Sequence, residues 1–179
     1  SNMRDRGYSY FLNELKNDES NLSSWQLNKA KEKLESILKE DLPDVLRSMG
    51  WNQATVCVVP RAKPMSFYNA NQLYFSDSVG SVTNILENLH NGCSFINRHS
   101  KTRTTHRHFT DTIGSMPYCG ITNDTCHISS DVSGKRIILV DDIYTKTINI
   151  DEDVIQALFD KGAESVCLYT VAKTVKKYH

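Results

Sequence analysis

The chain has 179 residues, a length that suits one domain with one buried core. Lysine plus arginine number 21 and aspartate plus glutamate number 21, so the formal net charge is zero and global charge gives no push toward nucleic acid or anionic lipid. No apolar run approaches the length that crosses a bilayer and no secretory signal is visible, so a cytoplasmic protein with no membrane partner is expected.

Ser1-Asn2, ahead of Met3, read as a cloning remnant. A single domain is expected over 3–179, with a helical segment at 3–50 and an α/β core at 51–179. Tyr8, Tyr10, Phe11 and Leu12 read as a packing anchor for the first segment. From Ser24 to Lys39 the residues Trp25, Leu27, Ala30, Leu34, Ile37 and Leu38 recur at helical spacing, with Ser23 or Ser24 as cap. A second, shorter helix is expected from Pro43 to Met49, with proline in its first turn and Gly50 as its stop. The apolar, β-branched run Ala54 to Val59 reads as a buried strand ended by Pro60. Ser78 to His90 carries Val79, Val82, Ile85, Leu86 and Leu89, a helical pattern closed by Asn91-Gly92.

From Asn97 to Ser130 the text turns polar and basic, a long excursion with room for short strands. Arg136 to Val140 reads as a buried strand, 141–149 as a loop, and Asp151 to Lys161 as a helix with Asp151, Glu152 and Asp153 in its first turn, where the helix dipole favours anions. Gly162 stops it, and Ser165 to Val171 reads as another strand. This strand, loop, helix and strand make a βαβ unit, which implies a parallel sheet with helices on its faces. The five cysteines lack close spacing, which argues against a disulfide framework, and Cys57 and Cys167 read as small buried hydrophobes.

In such sheets ligands bind beyond the carboxyl ends of the strands. Asp141 and Asp142 fall there. Their carboxylates suit sugar hydroxyls or a hydrated magnesium ion. Thr145, Lys146, Thr147, Ile148 and Asn149 follow and lead into a helix N-terminus, whose amides suit a phosphate. On local chemistry alone, a capped turn with two solvated aspartates fits as well.

Residues 136–149, RIILVDDIYTKTIN, resemble the phosphoribosyl pyrophosphate (PRPP) signature of type I phosphoribosyltransferases: an apolar strand, two acidic residues, an apolar pair and a phosphate loop. The following VIQALFDKGAESVCLYTVAKT is similar to the helix and strand that come next in that family. The nearest likeness is to the ComF-like, amidophosphoribosyltransferase-like branch, through VVPRAK at 58–63 and the stretch Arg98 to Thr102.

The resemblance implies a Rossmann-like parallel sheet flanked by helices, with N-terminal helices and the excursion near 97–130. It implies transfer of a phosphoribosyl group from PRPP with magnesium and loss of pyrophosphate. Asp141 and Asp142 would hold the ribose hydroxyls, directly or through the magnesium shell, and residues 145–149 would cradle the 5′-phosphate. Arg61, Ala62, Lys63 and Arg98 would face the diphosphate, and the stretch to His108 would lie where the family keeps a loop that closes over the site. A homodimer is a family habit.

The sequence departs from the signature at Thr147, where the family has glycine, and at Asn149, where it has threonine. Those departures motivate a second expectation, a non-catalytic sensor of PRPP or a nucleotide. Thr145 replaces the acidic base of 6-oxopurine salvage enzymes, so that substrate class is not expected. The basic stretch 97–108 leaves a ComF-like, DNA-associated accessory role as a further alternative. His106, His108, Cys119, Cys126 and His127 match no compact zinc spacing.

Overall fold

A computed structural model describes residues 11–18, 21–102, 121–122, 124–144 and 150–173. Within them α1 covers 11–16, and the further elements are α2 (Ser24–Ser48), β1 (Ala54–Val58), α3 (Tyr74–Thr83), β2 (Leu89–Asn91), β3 (Ile96–Arg98), β4 (Cys126–Ile128), β5 (Arg136–Tyr144), α4 (Ile150–Asp160) and β6 (Ser165–Lys173). Strands β2-β1-β5-β6 form a sheet in that order, and every neighbouring pair in it is parallel. Strands β3 and β4 pair antiparallel beside it.

Alternation along the strands divides the core between the sheet's two faces. Val56, Val58, Ile138 and Val140 pack with Leu12, Leu15, Leu34, Leu38, Val79 and Val82 from α1, α2 and α3. Cys57, Ile137 and Leu139 point the other way, onto Val154 and Leu158 of α4 and Ile96 and Ile128 of the β3–β4 pair. The crossover helices α3 and α4 thus lie on opposite faces, as right-handed crossovers require when the chain winds outward in both directions from the sheet centre. The α/β class read from the sequence is what the chain adopts.

Several elements differ from the sequence reading. The two expected helices at 24–39 and 43–49 are one helix, with Pro43 inside it. The buried stripe Leu27, Ala30, Leu34, Leu38, Leu42 and Leu46 runs through the proline without a break, and that continuous packing outweighs the roughly 3 kcal/mol a mid-helix proline costs. Ser23 is the cap, in a reciprocal capping box with Gln26.

The helix expected at 78–90 is shifted, to Tyr74–Thr83, and Leu89 belongs instead to strand β2. Asn88 takes the left-handed backbone at φ 65°, which breaks any helix there, and Leu89 is buried beside Ala54 of β1. Strand β5 does not stop at Val140. It continues through both aspartates to Tyr144, because β6 also runs on and pairs with it, Asp141 beside Thr170 and Ile143 beside Ala172. Cys57 is fully buried and Cys167 is half-buried; these two, Cys93 and Cys126 are free thiols. Tyr8, Tyr10 and residues 103–120, with most of the basic stretch and Cys119, lie outside the described residues.

Candidate ligand site at the carboxyl edge of the sheet

The strand order reverses direction between β1 and β5: the chain winds from β1 to β2 on one side and from β5 to β6 on the other. In open α/β sheets the crevice beyond the carboxyl ends at such a point is where ligands bind. Val59 donates its amide to the carbonyl of Val140 at 3.0 Å, so β1 ends level with Val140. Pro60 to Lys63 and the Asp141-Asp142 pair therefore emerge side by side at this edge.

Asp142 is 7% exposed. One carboxylate oxygen accepts the amide of Ile143 at 2.8 Å, and the other is ion-paired with the ammonium of Lys16. Asp141 accepts the amide of Asp142 at 2.8 Å. Burial raises the pKa of Asp141 well above the usual carboxylate range, and the charges of Asp142 and Asp151 raise it further, against weaker lowering by the Asp142 amide and Lys16. Asp151, 3% exposed in the first turn of α4, is the acidic neighbour of Asp141 on that side. Burial also raises Asp151, and among the described residues one of its oxygens, like one of Asp153, is buried with no hydrogen-bond partner. The site edge is thus an acidic cluster with one lysine driven into it.

The loop after β1 is committed to the fold. The Arg61 guanidinium donates to the carbonyls of Lys16 at 3.0 Å and Gln72 at 2.5 Å, pairs with Asp18, and stacks on the Tyr68 ring at 4.2 Å from its centre. The Ala62 carbonyl accepts both the amide and the hydroxyl of Thr102, at 2.8 and 3.0 Å. The Lys63 amide donates to the Tyr68 hydroxyl at 3.2 Å. Arg98 is buried at 6% exposure in β3, opposite Cys126.

The structure thus brings Arg61, Ala62, Lys63, Asp141 and Asp142 to one edge and buries Arg98 in the β3–β4 pair. Thr145, Lys146, Thr147, Ile148 and Asn149 lie outside the described residues. Lys16 and Asp151 are the site neighbours that sequence reasoning missed as such. Asp151 carried a signal, as an acid in a first turn, but it pointed to the helix dipole. Lys16 sits in no motif.

Among the described residues, no three histidine, cysteine or acidic side chains are grouped so that they could hold a metal ion. Asp142 already has its cation in Lys16, and burial and its acidic neighbours disfavour the charge on Asp141. This donor set does not fit a magnesium ion held by the protein alone. Also among the described residues, no helix is long and apolar enough to cross a membrane. A cavity of about 510 Å³ opens at the opposite, amino-terminal edge of the sheet, lined by Asn52, His90 and Arg136 among others. Its Arg136 is tied to Glu164 at 2.9 Å. Compared with protein-family models and with curated proteins, the chain matches none.

Proposed function

We propose that the protein binds PRPP, or a closely related phosphorylated ribose, in the crevice between β1 and β5, and transfers the phosphoribosyl group to an acceptor with loss of pyrophosphate. One observation carries the reading: the adjacent carboxylates of Asp141 and Asp142 stand at the carboxyl end of β5, where the strand order reverses, just ahead of residues 145–149 and the N-terminus of α4. In this reading Asp142, paired with Lys16, accepts a ribose hydroxyl. Asp141, which holds a proton more tightly, bonds the neighbouring hydroxyl as acceptor or donor. Residues 145–149 take the 5′-phosphate, and magnesium accompanies the diphosphate of the ligand rather than occupying a site of its own.

Titration calorimetry with PRPP and magnesium tests the reading. Wild type should bind, and the pair Asp141→Ala with Asp142→Ala should not. No binding by wild type ends it. The internal commitments of Arg61 and Ala62 favour a second reading, binding without turnover. Pyrophosphate release measured over a panel of bases and amines separates the two: release marks a transferase, and tight binding with no release marks a sensor.

A further inference from the structure

We infer that Lys16 is a ligand-binding residue, the cation that the crevice presents to the diphosphate of a bound phosphoribosyl compound in the place that sequence assigns to Arg61. The inference rests on the PRPP reading above and deepens it.

Both terminal nitrogens of Arg61 are used by the chain itself, on the carbonyls of Lys16 and Gln72 and the carboxylate of Asp18, and its plane lies against Tyr68. A guanidinium so engaged is a tether. What it tethers is the segment after α1. Asn17 holds that segment in a left-handed turn at φ 41°, 3% exposed, with its side chain bonded to the Asn71 carbonyl at 3.4 Å. Gln72 adds a bond to the Asn17 carbonyl at 3.3 Å. Below it Leu12 and Leu15 are buried at 1% and 0% exposure. The backbone of Lys16 is therefore fixed across the carboxyl ends of β1 and β5.

Its ammonium points at the site. It pairs with Asp142, and the side chain retains 21% exposure. An ammonium has three N–H donors, so one ion pair leaves others for a phosphoryl oxygen. A compact lysine charge is a common phosphate binder. The Lys16 carbonyl is bonded to Arg61 of the loop after β1 and its ammonium is paired with Asp142 of β5, so the charge of Lys16 stands in the crevice beside the loop that the PRPP reading gives to the diphosphate.

The test compares PRPP, inorganic pyrophosphate and ribose 5-phosphate, each with magnesium, by calorimetry on the full chain. Lys16→Met should weaken PRPP and pyrophosphate by about tenfold or more, the loss of a charge-assisted bond, and ribose 5-phosphate clearly less, a loss that comes only through Asp142. Lys16→Arg should recover part of the loss. A Lys16→Met protein that keeps the wild-type preference for PRPP over ribose 5-phosphate, or loses both ligands equally, overturns the inference while leaving the PRPP reading standing. Wild type that binds no PRPP overturns both. Should Lys16→Met fail to fold, acetylation of wild-type Lys16, followed by mass spectrometry, decides. PRPP should slow it several-fold more than ribose 5-phosphate does, and equal protection by the two overturns the inference.

Discussion

Asp141 at the end of β5 stands against Asp151 in the first turn of α4, and the charge of Asp151 disfavours ionisation of Asp141. Burial is the larger cause, and with the charge of Asp142 the two hold the Asp141 proton more tightly in the fold than in the unfolded chain. A carboxyl whose pKa is higher in the fold than in the unfolded chain binds its extra proton in the fold. Stability is then unaffected below the ordinary carboxylate range and falls as pH rises from that range through the raised value. Asp141→Asn removes the liability. It should raise stability at pH 7 by roughly 0.5–2 kcal/mol, flatten the fall in stability above the ordinary carboxylate range, and weaken PRPP binding less than Asp141→Ala does, since an amide keeps a donor and an acceptor. Urea unfolding across pH, beside calorimetry, checks both. A variant less stable than wild type at pH 7 would contradict the charge argument.

Arg61 ties its own loop to two other parts of the chain, through Lys16 and Asp18 on one side and Gln72 on the other. Arg61→Ala should cost roughly 2–4 kcal/mol, because it leaves partly buried acceptors without donors. Arg61→Lys should recover only part, since an ammonium cannot reproduce the fork or the stack on Tyr68. Urea midpoints at constant m-value measure both, and a loss within error for Arg61→Ala would refute the tether.

At Asn17 the backbone and the side chain can be separated. The left-handed φ of 41° penalises any residue with a Cβ that lacks asparagine's local bonding. Asn17→Ala should cost roughly 1–2 kcal/mol, and Asn17→Gly less, since glycine takes that conformation without strain. Equal losses in thermal unfolding would mean that the bonds to Asn71 and Leu22 dominate instead.

Gly92 follows β2 where the chain passes over β1. A Cβ there would meet the Thr55 methyl at 2.6 Å and the Cys57 sulfur at 3.0 Å, both on a buried strand that cannot yield. Gly92→Ala should cost roughly 1–3 kcal/mol by overpacking. Thr55→Ser in the same chain should return part of it by removing the nearest methyl, and a double-mutant cycle reads the recovery.

The βαβ unit from β5 to β6 was legible because Ile137 to Val140 and Val154 to Leu158 each carry one clear period, and Gly162 marks the turn between helix and strand. Boundaries failed where local chemistry competed with distant packing. Pro43 reads as a start, yet Leu42 and Leu46 extend the stripe set by Leu34 and Leu38. Leu89 completes a helical pattern on paper, yet Ala54 offers it a strand partner. The aspartates read as the end of a strand, yet Thr170 and Ala172 keep β5 paired beyond them. In the site, Asp141 and Asp142 were legible from their position after an apolar strand. Lys16 was not, since nothing in the sequence near it records that it will meet a residue so far down the chain.

That meeting has a consequence for how the crevice comes into being. One of its walls is written in the first tenth of the chain and the opposite wall near its last quarter. During synthesis Lys16 has no Asp142 to meet until β5 has emerged. A protease cut between Asp18 and Ser23 that releases the N-terminal arm would take the cation of the crevice with it, so binding competence and intactness of that arm should be lost together.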